Sequence, residues 1–262
     1  MGVVNVTPDS FSDGGRFADA AGAVAHGRAL AAAGADIVDV GGESTRPGAA
    51  PVPPEEEIRR IEPVVRGLAA AGLAVSIDTR RGAVMRAALA AGARIINDVT
   101  ALAGDPESLA VAARSGAALV LMHMAGDPRT MQDDPRYDDA ALDVLDFLES
   151  RVAACERAGV ARERIAVDPG IGFGKRDAHN LALLARLALF HGTGCAVLLG
   201  ASRKSFIGRL AGGDPPERLG GSLAAALWAA GQGVQILRVH DVAETRQALV
   251  LQAAIAGEAA LC

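Results

Sequence analysis

The 262-residue chain is half apolar and carries a formal net charge of −5 with a pI near 5.6, which argues against nucleic acid as its main partner. Aromatic residues make up only 3%, too few for the stacking platforms of single-strand binders. No long uncharged apolar run or secretory leader pattern occurs, and Cys155, Cys195 and Cys262 form no metal or disulfide spacing, so a soluble cytoplasmic protein with free thiols and no membrane partner is expected.

In chain order, one unit recurs: an alanine-rich helical end, a glycine, a short apolar strand, then a polar residue. Val3-Val4-Asn5 opens the series. AAAG-ADIVDV then runs to Asp39, AAAG-LAVSID to Asp78, ALAAG-ARIIND to Asn97 and Asp98, and AARSG-AALVLMH to His123. ERAG-VARERIAVD ends at Asp168, HGTG-CAVLLGAS at Ser202, and AAGQG-VQILRVH at Arg238 and His240. The glycine of each unit, Gly34 through Gly231, is the expected left-handed helix cap, and the run after it is too short and too β-branched for another helix. Eight such strands with helices between them predict one α/β domain over residues 1–262, a closed parallel (β/α)8 TIM barrel.

The helical stretches agree with this. Ile58, Ile61, Val65 and Leu68 fall at helical spacing behind Pro54 and the acidic first turn Glu55-Glu56-Glu57, with Pro63 expected to kink the helix. Leu142, Leu145, Phe147, Leu148 and Val152 form a second stripe, and Trp228, on an Ala/Leu-rich stretch, reads as core or subunit interface.

In such a barrel the C-terminal strand ends form the active-site mouth. Asn5, Asp39, Asp78, Asn97, His123, Asp168, Lys204, Arg238 and His240 are therefore expected to converge there, with His123 taken as a structural strand end. The connections Val6 to Phe17, Gly42 to Pro53 and Met124 to Tyr137 are long and rich in glycine, proline and polar residues, as functional loops are. The first reads either as a lid or as a solvated surface loop.

Asp168-Pro169-Gly170-Ile171-Gly172-Phe173-Gly174-Lys175 is the most distinctive stretch. A phosphate loop would need a glycine where Pro169 stands and Ser or Thr where Arg176 stands, so its carboxylate, not its glycines, is the leading chemical group. A dinucleotide fingerprint fails because its third glycine falls on Lys175. There is no Gly-x-Ser-x-Gly elbow and no zinc spacing among the histidines. What remains is a cationic group, Arg203, Lys204, Arg238 and His240 with Arg46 nearby, suited to a small anion. Opposite stand Asp78, Asn97 and Asp168, able to read a flat heterocycle with adjacent N–H groups.

The motifs NVTPDSFSDGG (Asn5–Gly15), GGESTRPGA (Gly41–Ala49), SIDT (Ser76–Thr79), IIND (Ile95–Asp98), Met122-His123, DPGIGFGK, SRKSFIG (Ser202–Gly208) and RVHDV (Arg238–Val242) follow one another along the whole chain. Together they resemble dihydropteroate synthases. That resemblance implies condensation of 6-hydroxymethyl-7,8-dihydropterin pyrophosphate with p-aminobenzoate, releasing pyrophosphate and 7,8-dihydropteroate for folate synthesis. It implies a pterin site of Asp78, Asn97, Met122, Asp168, Phe173, Lys204 and Arg238. Asn5, Phe11, Thr45, Arg46, Ser202, Arg238 and His240 would surround the pyrophosphate and p-aminobenzoate, with Mg²⁺ on Asn5. Asp13, Arg46, Asp78 and Lys204 would serve an SN1-like loss of pyrophosphate. A homodimer and a sulfonamide target are implied as well. Members usually carry further residues before the first strand, where this chain begins at Met1-Gly2, and those residues tend to close the barrel bottom. A methyltetrahydrofolate–corrinoid methyltransferase barrel and a catalytically silent pterin-binding barrel are the alternative readings.

Overall fold

The computed structural model describes residues 1–6, 20–44, 51–126 and 130–257. Eight parallel strands follow one another in sequence order: β1 (Gly2–Asn5), β2 (Ile37–Gly41), β3 (Ala74–Asp78), β4 (Ile95–Asp98), β5 (Ala118–Met122), β6 (Ile165–Asp168), β7 (Ala196–Leu199) and β8 (Ile236–Leu237). A parallel bridge between Gly2 and Val239 joins the last strand to the first, reinforced by the Val239 N–H donating to the Met1 carbonyl at 2.9 Å. The expected barrel is thus closed. Its helices are α1 (Ala20–Ala32), α2 (Pro54–Ala70), α3 (Gly82–Ala90), α4 (Ser108–Ser115), α5 (Ala140–Arg157), α6 (Asp177–Ala185), α7 (Ser205–Ala211), α8 (Leu219–Gly231) and α9 (Val242–Ala256).

Strand alternation sorts the residues into two cores. Outward-facing Val38, Val40, Val75, Ile77, Ile96, Leu119, Leu121, Val167, Val197 and Leu199 pack under the helices. A separate inner cluster of Val120, Ala166 and Leu198, with Met1, Ile95, Ala196 and Ile236 against it, fills the lower barrel. Above it the inward positions turn polar. Register carries the site: Asn5 pairs with Gly41, Gly41 with Asp78, Asp78 with Asn97, and Met122 with Asp168. Asn5, Asp78 and Asn97 therefore lie on one continuous row, and Asp168 stands two residues beyond Ala166, the point at which that row crosses β6.

Several local expectations shift. α2 runs through Pro63, and its buried face is Glu57, Ile61, Val64, Val65 and Leu68. Fully burying each of those aliphatic side chains contributes roughly 1.5–3 kcal/mol. In α5 the buried stripe is Val144, Leu148, Val152 and Cys155, while Leu142 is 47% exposed. Trp228 is 56% exposed and so is not core, although its indole N–H donates to the Leu184 carbonyl at 2.7 Å. The left-handed residue after α8 is Gly233 (φ 82°), because Gly231 still belongs to the helix.

Candidate active site

Asp168 ends β6 with its Oδ1 accepting from the Gly170 N–H at 2.7 Å. Burial pushes its carboxyl up, opposed by Lys204, the Gly170 N–H, Lys175 and Arg238. The glycines after it are required. A Cβ on Gly170 would lie 1.9 Å from the His123 carbonyl oxygen, and its φ of 70° belongs to the left-handed region. The loop thereby packs directly onto the end of β5, and Met122 lies against the same glycine.

Lys204, at the start of α7, donates to the Ile171 carbonyl and holds its ammonium 4.6 Å from the centre of the Phe173 ring. Burial pulls its pKa down to about 8 against the attraction of Asp168. Asp78, on β3, is pushed up to about 7 by burial, although Arg238 works in the opposite direction. Arg238 spans the barrel, with Nε 2.7 Å from Asp39 Oδ2 and Nη2 2.8 Å from Asp78 Oδ2. Burial opposes its charge, but Asp39 and Asp78 outweigh that and hold it above its ordinary value. The Asn97 amide donates to Asp39 Oδ2 at 3.2 Å. After these bonds, Asp39 Oδ1, Asp78 Oδ1 and Ser76 Oγ are buried without a hydrogen-bond partner. Unsatisfied polar atoms of this kind are uncommon in a native interior; Asp39 and Ser76 are fully buried, and only Asp78, 12% exposed at its side chain, faces the mouth.

Asn5 stands beside this floor. A Cβ on Gly41 would lie 3.8 Å from both Asn5 Oδ1 and Asp78 Oδ2, in ordinary contact with each, so the two oxygens flank the same glycine. Among the described residues no group of three or more His, Cys, Asp or Glu could cage a metal ion. Across the mouth, Ser202 Oγ lies 3.0 Å from His240 Nδ1 and accepts from the His240 N–H. Arg203 is held by Asp241, with Nε 3.0 Å from Oδ2, and so is already engaged by a carboxylate.

The structure thus brings together Asn5, Asp78, Asn97, Met122, Asp168, Phe173, Lys204 and Arg238, with Ser202 and His240 joined to one another. Phe11, Asp13, Thr45 and Arg46 lie outside the described residues. Asp98 is a local anchor, accepting from Thr100 N, Thr100 Oγ1 and Leu102 N below the turn after β4. Asp39, expected at the mouth with the other strand ends, is instead fully buried and aligns Asn97 and Arg238 from beneath. The pairing of Glu43 was not anticipated. Glu43 accepts from Val52 N, Arg80 and Arg81, and Arg81 also reaches the Val52 carbonyl and fully buried Glu57, tying the residues on either side of the second loop to β3 and α2.

Residues 1–240 match the family described as pterin binding enzyme. The dihydropteroate synthase of Escherichia coli strain K12 is 51% identical over 250 residues, which are 95% of this chain and 88% of that one. A Yersinia pestis dihydropteroate synthase solved with a sulfonamide drug superposes with a TM-score of 0.94 at 45% identity, covering 98% of this chain and 94% of the other. The Xanthomonas albilineans dihydropteroate synthase solved with 7,8-dihydropteroate gives 0.88 at 47% identity, covering 98% and 92%.

Proposed function

The chain belongs to the pterin binding enzymes, and from that premise we propose that it acts as a dihydropteroate synthase, joining 6-hydroxymethyl-7,8-dihydropterin pyrophosphate to p-aminobenzoate. The observation that carries this is the polar floor itself. Asp78 and Asn97 pair in register, Arg238 bonds Asp78, Asp168 and Arg238 approach the same side of Gly200, and Asp78 Oδ1 is an acceptor that no protein donor reaches. A planar ring rich in N–H groups supplies those donors, and the Asp168 carboxylate pairs with two of them as it would with a guanidinium. Met122 and Phe173 flank the ring, and Arg238 covers one of its faces.

Pyrophosphate departs from the ring's methylene in a dissociative step. Asp78, and Asp13 from the first loop, stabilise the positive charge left on that carbon. The amine of p-aminobenzoate is a neutral nucleophile at working pH, so no catalytic base is needed to activate it. His240 and Arg238 bind the leaving phosphates, while Ser202, Thr45, Arg46 and Phe11 surround the phosphate and p-aminobenzoate ends. Asn5 would hold Mg²⁺, which when bound neutralises charge on the pyrophosphate. The oxygen donors beside Gly41 suit a hard cation, and one shared with phosphate and water needs no all-protein cage.

Trp228, Leu251 at 61% exposure and Ile255 at 79% give α8 and α9 an apolar outer surface, which supports a homodimer through these helices. Light scattering at the mass of a single chain would refute that part. No helix among the described residues is long and apolar enough to cross a membrane. The buried free thiols Cys155 and Cys195 support a cytoplasmic location. A role as a sulfonamide target rests on the Yersinia pestis complex. The deciding assay is pyrophosphate release from the pterin pyrophosphate with p-aminobenzoate and Mg²⁺. Folded protein that releases none would overturn the reading in favour of a silent pterin-binding barrel.

A further inference from the structure

Lys175 is among the largest fully buried side chains of the described residues, and the chemistry above does not use it. Its Nζ lies 2.9 Å from His123 Nδ1, 3.0 Å from the Phe173 carbonyl and 3.3 Å from the His123 carbonyl. These are three partners for an ammonium with three N–H bonds. Burial, and then the Lys175 charge, drive His123 down to about 3, so its ring stays neutral and can offer Nδ1 as an acceptor. That ring is itself fixed edge-on against Phe147, with centroids 4.9 Å apart.

The loop that Lys175 closes is held carbonyl by carbonyl. Lys204 takes Ile171, Gln132 takes Gly172, Lys175 takes Phe173 and Tyr137 takes Gly174. Of the four donors only Lys175 is fully buried, its amine driven well below the ordinary lysine value by burial against the attraction of Asp168, and Phe173 is the residue whose ring packs on Lys204. A buried amine is a poor device for stability, because an apolar side chain of similar volume would fill the space without desolvating a polar head. Its effect is orientation. It fixes Phe173, and with it the slot wall between Asp168 and Lys204.

We propose that Lys175, seated on His123, is a positioning residue for the pterin ring, setting the Phe173 segment of the slot without touching substrate. This rests on the pterin reading of the site. Binding of the pterin pyrophosphate, followed by its own fluorescence, is compared with the KM of p-aminobenzoate in the full chain. Lys175→Met should weaken pterin binding roughly tenfold or more while leaving the p-aminobenzoate KM within about twofold, as loss of one substrate's binding contacts predicts. His123→Asn keeps an acceptor oxygen near the Nδ1 position and should retain pterin affinity, whereas His123→Phe should lose it as Lys175→Met does. These two variants leave Lys175 in place and carry the comparison if Lys175→Met does not fold. Unchanged pterin affinity in Lys175→Met, an equal change for both substrates, or equal losses in His123→Asn and His123→Phe would each overturn the proposal. Wild-type protein that binds no pterin would overturn the functional reading and the proposal with it.

Discussion

Replacing Asp168 with Asn tests the recognition chemistry most directly, because the structure fixes how the amide must sit. Asp168 Oδ1 accepts from the Gly170 N–H at 2.7 Å. An asparagine keeps its oxygen on that donor, since the opposite rotamer would set an NH₂ against an N–H. The amide nitrogen then occupies the Oδ2 position beside Gly200 and points its hydrogens at the ligand's N–H pair. One charge-assisted hydrogen bond is lost, worth about 1.5–3 kcal/mol, and opposed donors left without acceptors add about 1–3 kcal/mol. A combined loss of about 2.5–6 kcal/mol weakens pterin affinity by roughly two to four orders of magnitude. Fluorescence titration of the ring, with circular dichroism to verify the fold, reads this directly. Affinity within about threefold of wild type, on the scale where 1.4 kcal/mol is tenfold, would remove Asp168 from the centre of recognition.

The remaining tests concern charge. With Asp78 raised to about 7 and Lys204 lowered to about 8, the free enzyme has both in their charged forms only in the interval between. Asp78 takes up a proton as pH falls through about 7 and Lys204 loses one as pH rises through about 8, so kcat/KM for the pterin should be bell-shaped. A profile that stays flat from well below pH 7 to well above pH 8 would refute the assignment. Glu57 is raised to about 7 by burial, with Thr79 and Arg81 among the groups opposing it. Its folded value exceeds its unfolded one, so its stabilising contribution is complete below the ordinary glutamate range and lost as pH rises through about 7. A rise of that size corresponds to about 3 kcal/mol. Glu57→Gln should therefore be more stable than wild type at alkaline pH by up to that amount and equal to it in acid; urea melts that differ equally at both would contradict this. Chelation of Mg²⁺ should abolish pyrophosphate release while leaving binding of the unphosphorylated pterin ring intact, which equilibrium titration in excess EDTA measures.

The fold was legible because each βα unit repeats the same physical punctuation: a left-handed glycine, a β-branched run and a polar end. Register did the rest, since strands of matched length place Asn5, Asp78, Asn97 and Asp168 near one rim. Interactions that cross the barrel were not legible. Arg238 and Asp39 are 199 residues apart, and nothing local to either marks the pair, so Arg238 read as a free cation when it already carries two carboxylates. Glu57 was missed for a different reason. It sits in an acidic triplet that suits a helix N-terminus, and composition hid its period. Positions 57, 61, 64, 65 and 68 share one buried face of α2, a spacing present in the sequence. Lys175 follows the glycine loop, where a lysine ordinarily projects to solvent. Only the fold of Gly170 onto His123 turns it inward.

The unsatisfied oxygens explain why this floor is polar at all. Asp39, Ser76 and Asp78 lie on adjacent strands, Asp39 directly opposite Ser76 in register, and each retains a buried polar atom without a partner. Every such atom disfavours the folded chain by about 1–3 kcal/mol. Apolar residues at the same positions would extend the inner core of Val120, Ala166 and Leu198 upward and make a more stable barrel. The polar floor therefore has its rationale in the bound state. Arg238 compensates part of the negative charge but cannot satisfy every lone pair, because its Nε and Nη2 are already committed to Asp39 Oδ2 and Asp78 Oδ2. Of the three residues only Asp78 keeps exposed side-chain surface, so it is the one a flat, donor-rich ring arriving from the mouth can relieve, while Asp39 and Ser76 are fully buried beneath it; a ring lacking those donors leaves Asp78 stranded. Selectivity then follows from the penalty for the wrong ligand as much as from attraction to the right one, which is how a site built on hydrogen bonds separates close analogues.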